Sequence, residues 1–315
     1  MRWHRPKTTL LGPWRSELGF EVLYWLPWLR RWRNRQRQKI PADRTLAVTR
    51  GGASAWYTGT TIDAGRSAEL FDYVSVESVR RQSIADSQKQ ASIKQLAVTA
   101  WERSVADLMC KDRGIARYEL VHPALMYGEL APWWEGRWGL KDLSEHVIFE
   151  PIVAPAVPVT VPLPPKFVVV RFYGRYTWPL TADSVRWAAA LVDGLAKQLP
   201  VVVLSSGVEA DEHIDMKLEG ANILNLAPYV TPANNLAIQS AVIAKSQGFV
   251  GTYGGTMQLA VALNKPAVGF YSHFEGTAYA HKVLTEWLGV QLKLPVFIGR
   301  PDDGRFVQQM LQGSS

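Results

Sequence analysis

The sequence predicts an α/β fold with two domains, each built on a mainly parallel sheet. Short apolar runs that fit buried strands alternate with segments whose apolar residues recur at helical spacing. A proline-rich stretch divides this pattern near the middle of the 315 residues, which are enough for two domains of ordinary size. We therefore expect an N-terminal domain over residues 1–150, a connector over 151–165 and a C-terminal domain over 166–315.

The N-terminal domain is predicted to open with a strand at residues 8–12, followed by a loop and a helix. The apolar residues of that helix recur at steps of three and four, namely Val22, Trp25, Leu26, Leu29 and Trp32. Pro27 lies inside this pattern, and we expect it to kink the helix because proline has no amide hydrogen. Further strands are predicted at 46–49, 73–76 and 118–121, with a long helical stretch over 83–111.

The connector at residues 151–165 contains six prolines. Proline lacks the amide hydrogen that a helix interior or a central strand requires, so this segment predicts a semi-extended link between the domains. The C-terminal domain is predicted to contain strands at 166–172, 201–204 and 222–226, and helices at 181–199, 234–245 and 278–288. A terminal helix over 305–311 would pack back on the first domain.

The segment Ser246–Ser272, SQGFVGTYGGTMQLAVALNKPAVGFYS, is the most informative part of the chain. A short apolar strand turns through GTYGGT into a helix, and Asn264–Pro266 ends that helix before a second buried strand. Glycines let the backbone approach a ligand closely, and the amide groups that open the helix at Thr256 point into the loop. The segment favours a phosphate site over a plain turn between strand and helix.

Charge and cysteine content limit the classes of partner. The formal net charge of +7 and a pI near 9.4 favour phosphorylated ligands, acidic glycans, anionic lipid or nucleic acid. The single cysteine, Cys110, excludes a disulfide framework and a Cys/His zinc pattern, so the cytoplasm is the expected location. We expect no signal peptide and no membrane-spanning helix. The sequence has no Asp-x-Asp pair and its histidines show no metal spacing, so we predict no metal. It also has no G-x-S-x-G elbow, no Walker P-loop and no G-x-G-x-x-G after its first strand, which counts against a hydrolase, an NTPase and an NAD-dependent enzyme.

The segment GFVGTYGGTMQLAVALNKPAVGFYS resembles the nucleotide-binding motif of GT-B glycosyltransferases, especially heptosyltransferase-like enzymes. In that family a strand, a Gly/Thr loop and a "-LA-AL-KP-" helix receive the diphosphate of a sugar nucleotide. The N-terminal LLGPWRSELGFEVLYWLPWLRR is similar to the family's opening strand, glycine loop and "LP-L" helix. The resemblance implies two Rossmann-like domains that face each other across a cleft.

The resemblance also implies a donor site in the C-terminal domain. Arg171 and Arg175, at and beyond the end of the strand FVVVRFYGR, would hold the diphosphate, and Arg171 would stabilise the leaving group. The strand-end arginine of GT-B fucosyltransferases is placed similarly. An ion pair with Asp183 or another acid is the alternative for these arginines. The remaining donor-site candidates are Ser205, Ser206, Thr252, Gly254, Gly255, Thr256, Gln258 and His273.

The N-terminal domain would bind the acceptor and supply the catalytic base. Members of the family carry an aspartate directly after "LG", where this chain has Phe20 followed by Glu21. Glu17 and Glu21 are therefore both candidate bases, with Asp63 next; ordinary helix-start acids are the alternative for the two glutamates. The candidates for acceptor binding, an arginine with aromatic rings, are Arg50, Trp56 and Tyr57.

These features predict a glycosyltransferase that moves a sugar from a nucleotide-diphosphate sugar to a glycan or lipid-linked glycan acceptor. The reaction would be inverting and metal-independent, would need no cofactor beyond the donor co-substrate, and would belong to surface polysaccharide biosynthesis. A sugar-nucleotide epimerase or hydrolase on the same scaffold is one alternative. A basic module for nucleic acid or acidic polymer is another, but the arginine-rich run at 30–39 has no series of interleaved stacking aromatics, so we predict no nucleic-acid partner.

The first long helix also suggests peripheral attachment to an anionic membrane on the cytoplasmic face. Tryptophan favours the membrane interface, and basic side chains are attracted to anionic lipid. Trp25 and Leu26 are expected to be buried. Trp28 and Trp32, with the arginines at positions 30, 31, 33, 35 and 37, would then face the lipid.

Overall fold

The computed structural model describes residues 7–36, 41–58, 66–90, 94–158, 160–204, 214–274 and 278–301. It divides into two compact units, the first being Met1–Pro155 with Thr231–Ala237 and the second Ala156–Val230 with Ile238–Ser315. The sequence-based boundaries place Thr231–Ala237 in the C-terminal domain, whereas the structure groups this segment with the first unit. The reason is local, because the Ala237 amide donates to the Gly51 carbonyl at 2.8 Å.

The first unit contains a parallel sheet with the strand order β3-β2-β1-β4 in its described part. The strands are β1 (Thr8–Leu11), β2 (Thr45–Thr49), β3 (Ser67–Glu69) and β4 (Tyr118–Val121). The prediction of a strand at 73–76 is wrong, since the third strand is Ser67–Glu69. Its sequence, SAE, is too short and too polar to stand out as an apolar run.

The helices of the first unit are α1 (Leu18–Phe20), α2 (Leu26–Gln36), α3 (Val76–Gln90), α4 (Ala100–Asp112), α5 (Pro123–Trp134) and α6 (Leu140–His146). A π-helical turn, Glu21–Trp25, joins α1 to α2. The helical stretch predicted over 83–111 is in fact two helices, α3 and α4. Buried residues of both helices, among them Val79 and Met109, pack with Leu10 and Leu46 of the sheet.

The second unit contains a parallel sheet with the strand order β12-β11-β10-β5-β7-β9 among the described residues. Its strands are β5 (Val168–Arg171), β7 (Val201–Val203), β9 (Ile223–Asn225), β10 (Phe249–Thr252), β11 (Ala267–Phe270) and β12 (Val296–Gly299). A short antiparallel pair, β6 (Tyr173–Gly174) and β8 (Ile214–Asp215), lies beside it. The prediction of an α/β chain with parallel sheets is confirmed.

The helices of the second unit are α7 (Ala182–Ala196), α8 (Asn235–Lys245), α9 (Gly255–Ala262) and α10 (Ala278–Leu292). The predicted start of α7 is confirmed, because the Thr181 hydroxyl accepts from the Ser184 amide at 3.1 Å. Residues 305–311, where a terminal helix was predicted, lie outside the described part of the chain.

The strand order places a switch of direction between β5 and β10. From β5 the chain continues to β7 and β9 on one side, and it then returns to build β10, β11 and β12 on the other. The two central strands approach closely, because a Cβ added to Gly251 would lie 2.0 Å from the Arg171 carbonyl oxygen. Ligands of open α/β sheets bind beyond the carboxyl ends of the strands at such a switch.

Replacement of Gly251 by alanine tests this close approach. The added methyl group meets backbone that cannot move without disturbing β5, so we expect Gly251→Ala to lower the free energy of unfolding by about 1–3 kcal/mol or more. Urea denaturation measures the change. Gly128→Ala in α5 is the matched control, because its added Cβ meets nothing within 4 Å beyond its chain neighbours and the backbone of its own helix. Equal urea midpoints for Gly251→Ala and the wild type would show that the two strands are not so close.

Candidate functional site

Strand β5 ends at Arg171, whose guanidinium connects three elements of the second unit. Its Nε donates to Asp215 Oδ1 of β8, and its Nη1 donates to Thr256 Oγ1 in the first turn of α9, each at 3.0 Å. The guanidinium also lies over the ring of Tyr173, 5.1 Å from its centroid. An ion pair with an acid therefore exists, but the acid is Asp215; Asp183 pairs with Arg186 on α7.

Helix α9 begins at the carboxyl end of β10, beside the same guanidinium. The amide groups of its first turn have no carbonyl partner within the helix, and they carry the positive end of the helix dipole. A Cβ added to Gly254 would lie 2.1 Å from the Tyr173 hydroxyl oxygen, so glycine lets this hydroxyl approach the start of the helix. We call Arg171, Tyr173, Asp215, Gly254 and Thr256 the Arg171 cluster. An arginine beside free helix amides is an arrangement that suits phosphate.

Two of the residues predicted to contact the donor have buried side chains. Thr252 is fully buried, and its hydroxyl both accepts from the Tyr173 amide at 3.1 Å and donates to the Tyr173 carbonyl at 3.2 Å. Gln258 is also buried, and its Nε2 donates to the Tyr253 hydroxyl at 3.4 Å. Both side chains are therefore buried and hydrogen-bonded to neighbouring groups of the protein.

The remaining residues predicted to bind the donor are not part of the Arg171 cluster. The backbone of Arg175 forms a two-way bridge with Trp178, and its guanidinium lies 5.5 Å from the Tyr176 ring centroid. His273 is exposed, and its Nδ1 lies 2.9 Å from the Ser272 hydroxyl. Gly255 is half-buried at the first position of α9. Ser205 and Ser206 lie outside the described residues.

In the first unit, a buried carboxylate lies beyond the end of β1. Glu21 is fully buried; its Oε1 accepts from the Tyr57 hydroxyl at 2.9 Å and its Oε2 from Arg50 Nη2 at 3.2 Å. The same Nη2 donates to the Ser16 carbonyl at 2.8 Å. Burial raises the pKa of Glu21, whereas the charge of Arg50 and the Tyr57 hydrogen bond oppose that rise. We call Ser16, Glu21, Arg50 and Tyr57 the Glu21 cluster.

The other acceptor-side candidates differ in exposure. Glu17 is half-buried at the N-cap of α1, and its charge raises the pKa of Lys94 against the lowering effect of burial. Trp56 and Tyr57 are both fully buried. The 3₁₀ turn Ala53–Tyr57 directs both rings into the core, so neither presents a face on which a sugar could stack. Asp63 lies outside the described residues.

A second set of buried charges in the first unit was not predicted from the sequence. Arg15 forms ion pairs with Asp86 and, at 2.9 Å from its Nε, with Glu102 Oε1. Glu102 also accepts from Gln95 Nε2 at 2.8 Å, and His122 Nε2 lies 3.1 Å from it. Only the capping box of α4, Thr99 with Glu102, has a local sequence signature. Arg15 and Glu102 are 87 residues apart, so no spacing rule could pair them.

Part of the membrane hypothesis is wrong. Trp25 and Leu26 are buried, as predicted, but Trp28 is buried as well, and its Nε1 donates to Glu129 Oε2 at 2.7 Å. Arg30 and Arg33 are also buried, whereas Arg31 and Trp32 are half-buried and Arg35 is exposed. Arg37 lies outside the described residues. Of the helices in the described ranges, none has the length and apolar character needed to cross a bilayer. Peripheral attachment remains a prediction.

The described residues contain no group of three or more His, Cys, Asp or Glu side chains arranged to hold a metal ion. No protein-family model matches the chain, and a search of curated proteins finds no match.

Among solved structures, the chain is similar to the E. coli heptosyltransferase WaaC with ADP, at 12% identity and a TM-score of 0.47, covering 98% of this chain and 100% of that one. It is also similar to a glycosyl transferase family 9 protein from Veillonella parvula, at 12% identity and a TM-score of 0.46, covering 97% of this chain and 89% of that one. A third match is E. coli ADP-heptose lps heptosyltransferase II, at 16% identity and a TM-score of 0.42, covering 84% of this chain and 85% of that one. Because the scores are this low, we infer the activity of this chain from its own residues.

The ionisation of Glu102 provides a test of the buried network. Burial opposes that ionisation, but His122, Arg15 and the Thr99 amide outweigh it and lower the pKa of Glu102 from 4.5 to about 2. Because the folded-state pKa is depressed, the charge contributes stability that is present above pH 4.5 and is lost as the pH falls towards 2. We expect Glu102→Gln to remove a contribution on the order of 3 kcal/mol near neutral pH.

Urea denaturation at several pH values measures this effect. The difference in unfolding free energy between the wild type and Glu102→Gln should narrow as the pH falls below 4.5. Glu77→Gln is the control, because Glu77 is an exposed residue of α3. A difference that stays constant over this pH range would mean that Glu102 is not ionised in the folded protein.

Proposed function

We propose that this chain is a glycosyltransferase that uses a nucleotide-diphosphate sugar as its donor. The observation that carries the proposal is the place of the Arg171 cluster in the sheet. Arg171 ends β5 and α9 follows β10, and these two strands flank the switch of direction in the second sheet. Ligands of open α/β sheets bind at this place, beyond the carboxyl ends of the strands.

The chemistry of the cluster suits a departing diphosphate. The guanidinium and the first-turn amides of α9 are donors, and a transferring sugar leaves negative charge on the phosphate oxygen that it quits. Asp215 and Thr256 hold Arg171 at Nε and Nη1, so the guanidinium is oriented before a ligand arrives. The segment that resembles the sugar-nucleotide motif forms β10, α9 and β11. Sequence and local structure therefore support the same donor class.

On the acceptor side we propose Glu21 as the general base of an inverting, metal-independent transfer. Arg50 and Tyr57 hold its carboxylate in one orientation, and burial raises its pKa in the direction that base catalysis near neutral pH requires. The carboxylate is fully buried, whereas the Arg50 side chain is 12% exposed. An acceptor hydroxyl would therefore approach Glu21 from the side of Arg50, the partly exposed member of the pair.

The identity of the acceptor is proposed from the charge balance and from the family resemblance. A net charge of +7 favours an anionic or lipid-linked glycan, as in the synthesis of a surface polysaccharide. A cytoplasmic location with attachment to anionic lipid would fit such an acceptor. Flotation with anionic vesicles tests the attachment, with Arg31 and Arg35 changed to Glu as the comparison.

A panel of ADP, UDP, GDP, CDP and TDP tests the donor site. ADP is included because one of the similar structures contains it. A nucleotide that binds the folded state raises the melting temperature, so we expect one member to do so and to bind measurably by calorimetry. Gly255→Val places a branched side chain at the start of α9 and should weaken that binding by about tenfold or more. Gly128→Val, in α5 of the first unit, is the control.

Unchanged affinity in Gly255→Val would separate nucleotide binding from the start of α9. If no nucleotide raised the melting temperature of the wild type, the proposed donor class would be wrong. Incubation of the responding sugar nucleotide without an acceptor then separates a transferase from a hydrolase or epimerase, which would consume the donor alone.

The two candidate bases form a matched pair for mutation. Gln keeps the shape of Glu and cannot take a proton, so we expect Glu21→Gln to lower kcat by about 10²- to 10⁴-fold while nucleotide affinity stays the same. Glu17→Gln should remain active. Steady-state kinetics with calorimetry measures both effects. Loss of activity in Glu17→Gln alone would assign the base to Glu17, and two fully active variants would exclude both residues.

A further inference from the structure

The turn after β2 has a conformation that requires glycine. Gly51 and Gly52 have φ values of 60° and 74°, in the left-handed region that residues with a Cβ rarely adopt. A Cβ on Gly52 would lie 2.8 Å from the Ala237 Cβ, and one on Gly51 would lie 3.0 Å from the Leu236 Cγ. Segment Thr231–Ala237 therefore covers one side of the turn. We call residues 50–52 the RGG turn.

The other side of the RGG turn is held by a carboxylate. Glu69, the last residue of β3, accepts from the Gly51 amide at 2.8 Å through Oε1 and from the Gly52 amide at 2.9 Å through Oε2. Its Oε1 also accepts from the Phe71 amide at 3.3 Å. Successive amides in such a turn form a concave anion-binding site, and here the protein's own carboxylate fills it.

The RGG turn carries Arg50, which belongs to the Glu21 cluster. Arg50 Nη2 donates to Glu21 Oε2 at 3.2 Å and to the Ser16 carbonyl at 2.8 Å. A continuous chain of contacts thus runs from Glu69, through the amides of Gly51 and Gly52, to Arg50 and then to Glu21.

We propose that Glu69 is a positioning residue, which fixes the RGG turn so that Arg50 stays against Glu21. The proposal rests on the proposed function for the role of Glu21 as base, but the geometry that supports it does not. Glu69 itself touches no reacting group in this arrangement. It acts through the backbone of the turn.

Loss of the Glu69 carboxylate should change the pKa of Glu21 in one definite direction. The groups that face Glu21 are Arg50 and Tyr57, and the charge of Arg50 opposes the rise in the pKa of Glu21 that burial causes. Loosening the turn would weaken this opposition and raise the pKa of Glu21 further. The ionisable group that faces Glu69 is Asp72, which adds to the effect of burial in raising the pKa of Glu69 to about 7.

Carbon-13 NMR of glutamate side-chain carboxyls can follow Glu21 directly, with Glu21→Gln identifying its signal. We expect Glu69→Ala to raise the pKa of Glu21 by about one unit, a tenfold change in proton affinity. Arg50→Ala should raise it as well, and the double variant Glu69→Ala/Arg50→Ala should show no further rise over Arg50→Ala alone. Glu77→Ala, an exposed glutamate of α3, is the control and should leave the pKa of Glu21 unchanged.

Chemical rescue gives a second readout that a merely structural role would not move. Acetate can occupy the site that Glu69→Ala vacates, so added acetate should return the pKa of Glu21 towards its wild-type value, whereas chloride at equal ionic strength should not. In an active enzyme, the acid limb of the pH profile of kcat/KM should shift to higher pH in Glu69→Ala and return with acetate. Glu69→Gln, which keeps one carbonyl acceptor, replaces Glu69→Ala if the latter does not fold.

Two results would overturn the inference: an unchanged pKa of Glu21 in the folded Glu69 variant, or shifts from Glu69→Ala and Arg50→Ala that simply add. The NMR measurement needs no catalysis, so it distinguishes this inference from the proposed function. A wild type without transferase activity whose Glu21 responds as expected would refute only the proposed function. Normal transfer with an unresponsive Glu21 would refute only the positioning role.

Discussion

Burial of parallel sheets confines the chemistry of this chain to the ends of its strands. The central strands of the second sheet, such as β5 and β10, are buried along their full length, so their side chains fill the core. Charged groups can then reach solvent or a ligand only beyond the strand ends. Arg171 ends β5, Glu69 ends β3 and Arg50 follows β2, all at carboxyl ends. The same constraint therefore places both clusters, although they lie in different units and contain different residues.

Burial also explains why these charged groups occur in pairs. Removing a lone charge from water is so unfavourable that the group would become neutral, whereas a partner with hydrogen bonds can hold it ionised. Arg15 with Glu102 and Arg50 with Glu21 are such pairs in the first unit. The difference between them lies in the number of donors. Those around Glu102 outweigh the effect of burial and lower its pKa to about 2, while those around Glu21 leave its pKa raised. A carboxylate whose pKa is raised, as that of Glu21 is, is the one suited to accept a proton near neutral pH.

The sequence predicts features that depend on neighbouring residues and misses those that depend on distant ones. The apolar strands, the Thr181 cap and the helix that begins beside Thr256 all have local patterns, and the structure contains them. Strand β3 has no such pattern, because its pairing with β2 and not its composition defines it. The partners of Arg171 were likewise out of reach, since Asp215 and Thr256 are 44 and 85 residues away. The burial of Trp56 follows from the 3₁₀ turn, which the sequence did not reveal.

The π-helical turn Glu21–Trp25 begins at the buried carboxylate and leads directly into α2. An i→i+5 turn encloses one more residue than an α-helical turn, so it can absorb one additional residue without changing the helix that follows. Phe20, which precedes this turn, packs on Tyr24 and Trp134, with ring centroids 5.5 and 5.7 Å away. Glu21 then faces Arg50 and Tyr57 at the end of the sheet.

Glu17 is more exposed than Glu21. It precedes α1 at a half-buried position, and its side chain makes no capping hydrogen bond there. A carboxylate placed in this way has an environment closer to that of an ordinary helix-start acid. The hydrogen bonds from Arg50 and Tyr57 and the raised pKa of Glu21 therefore support Glu21, in preference to Glu17, as the proposed base.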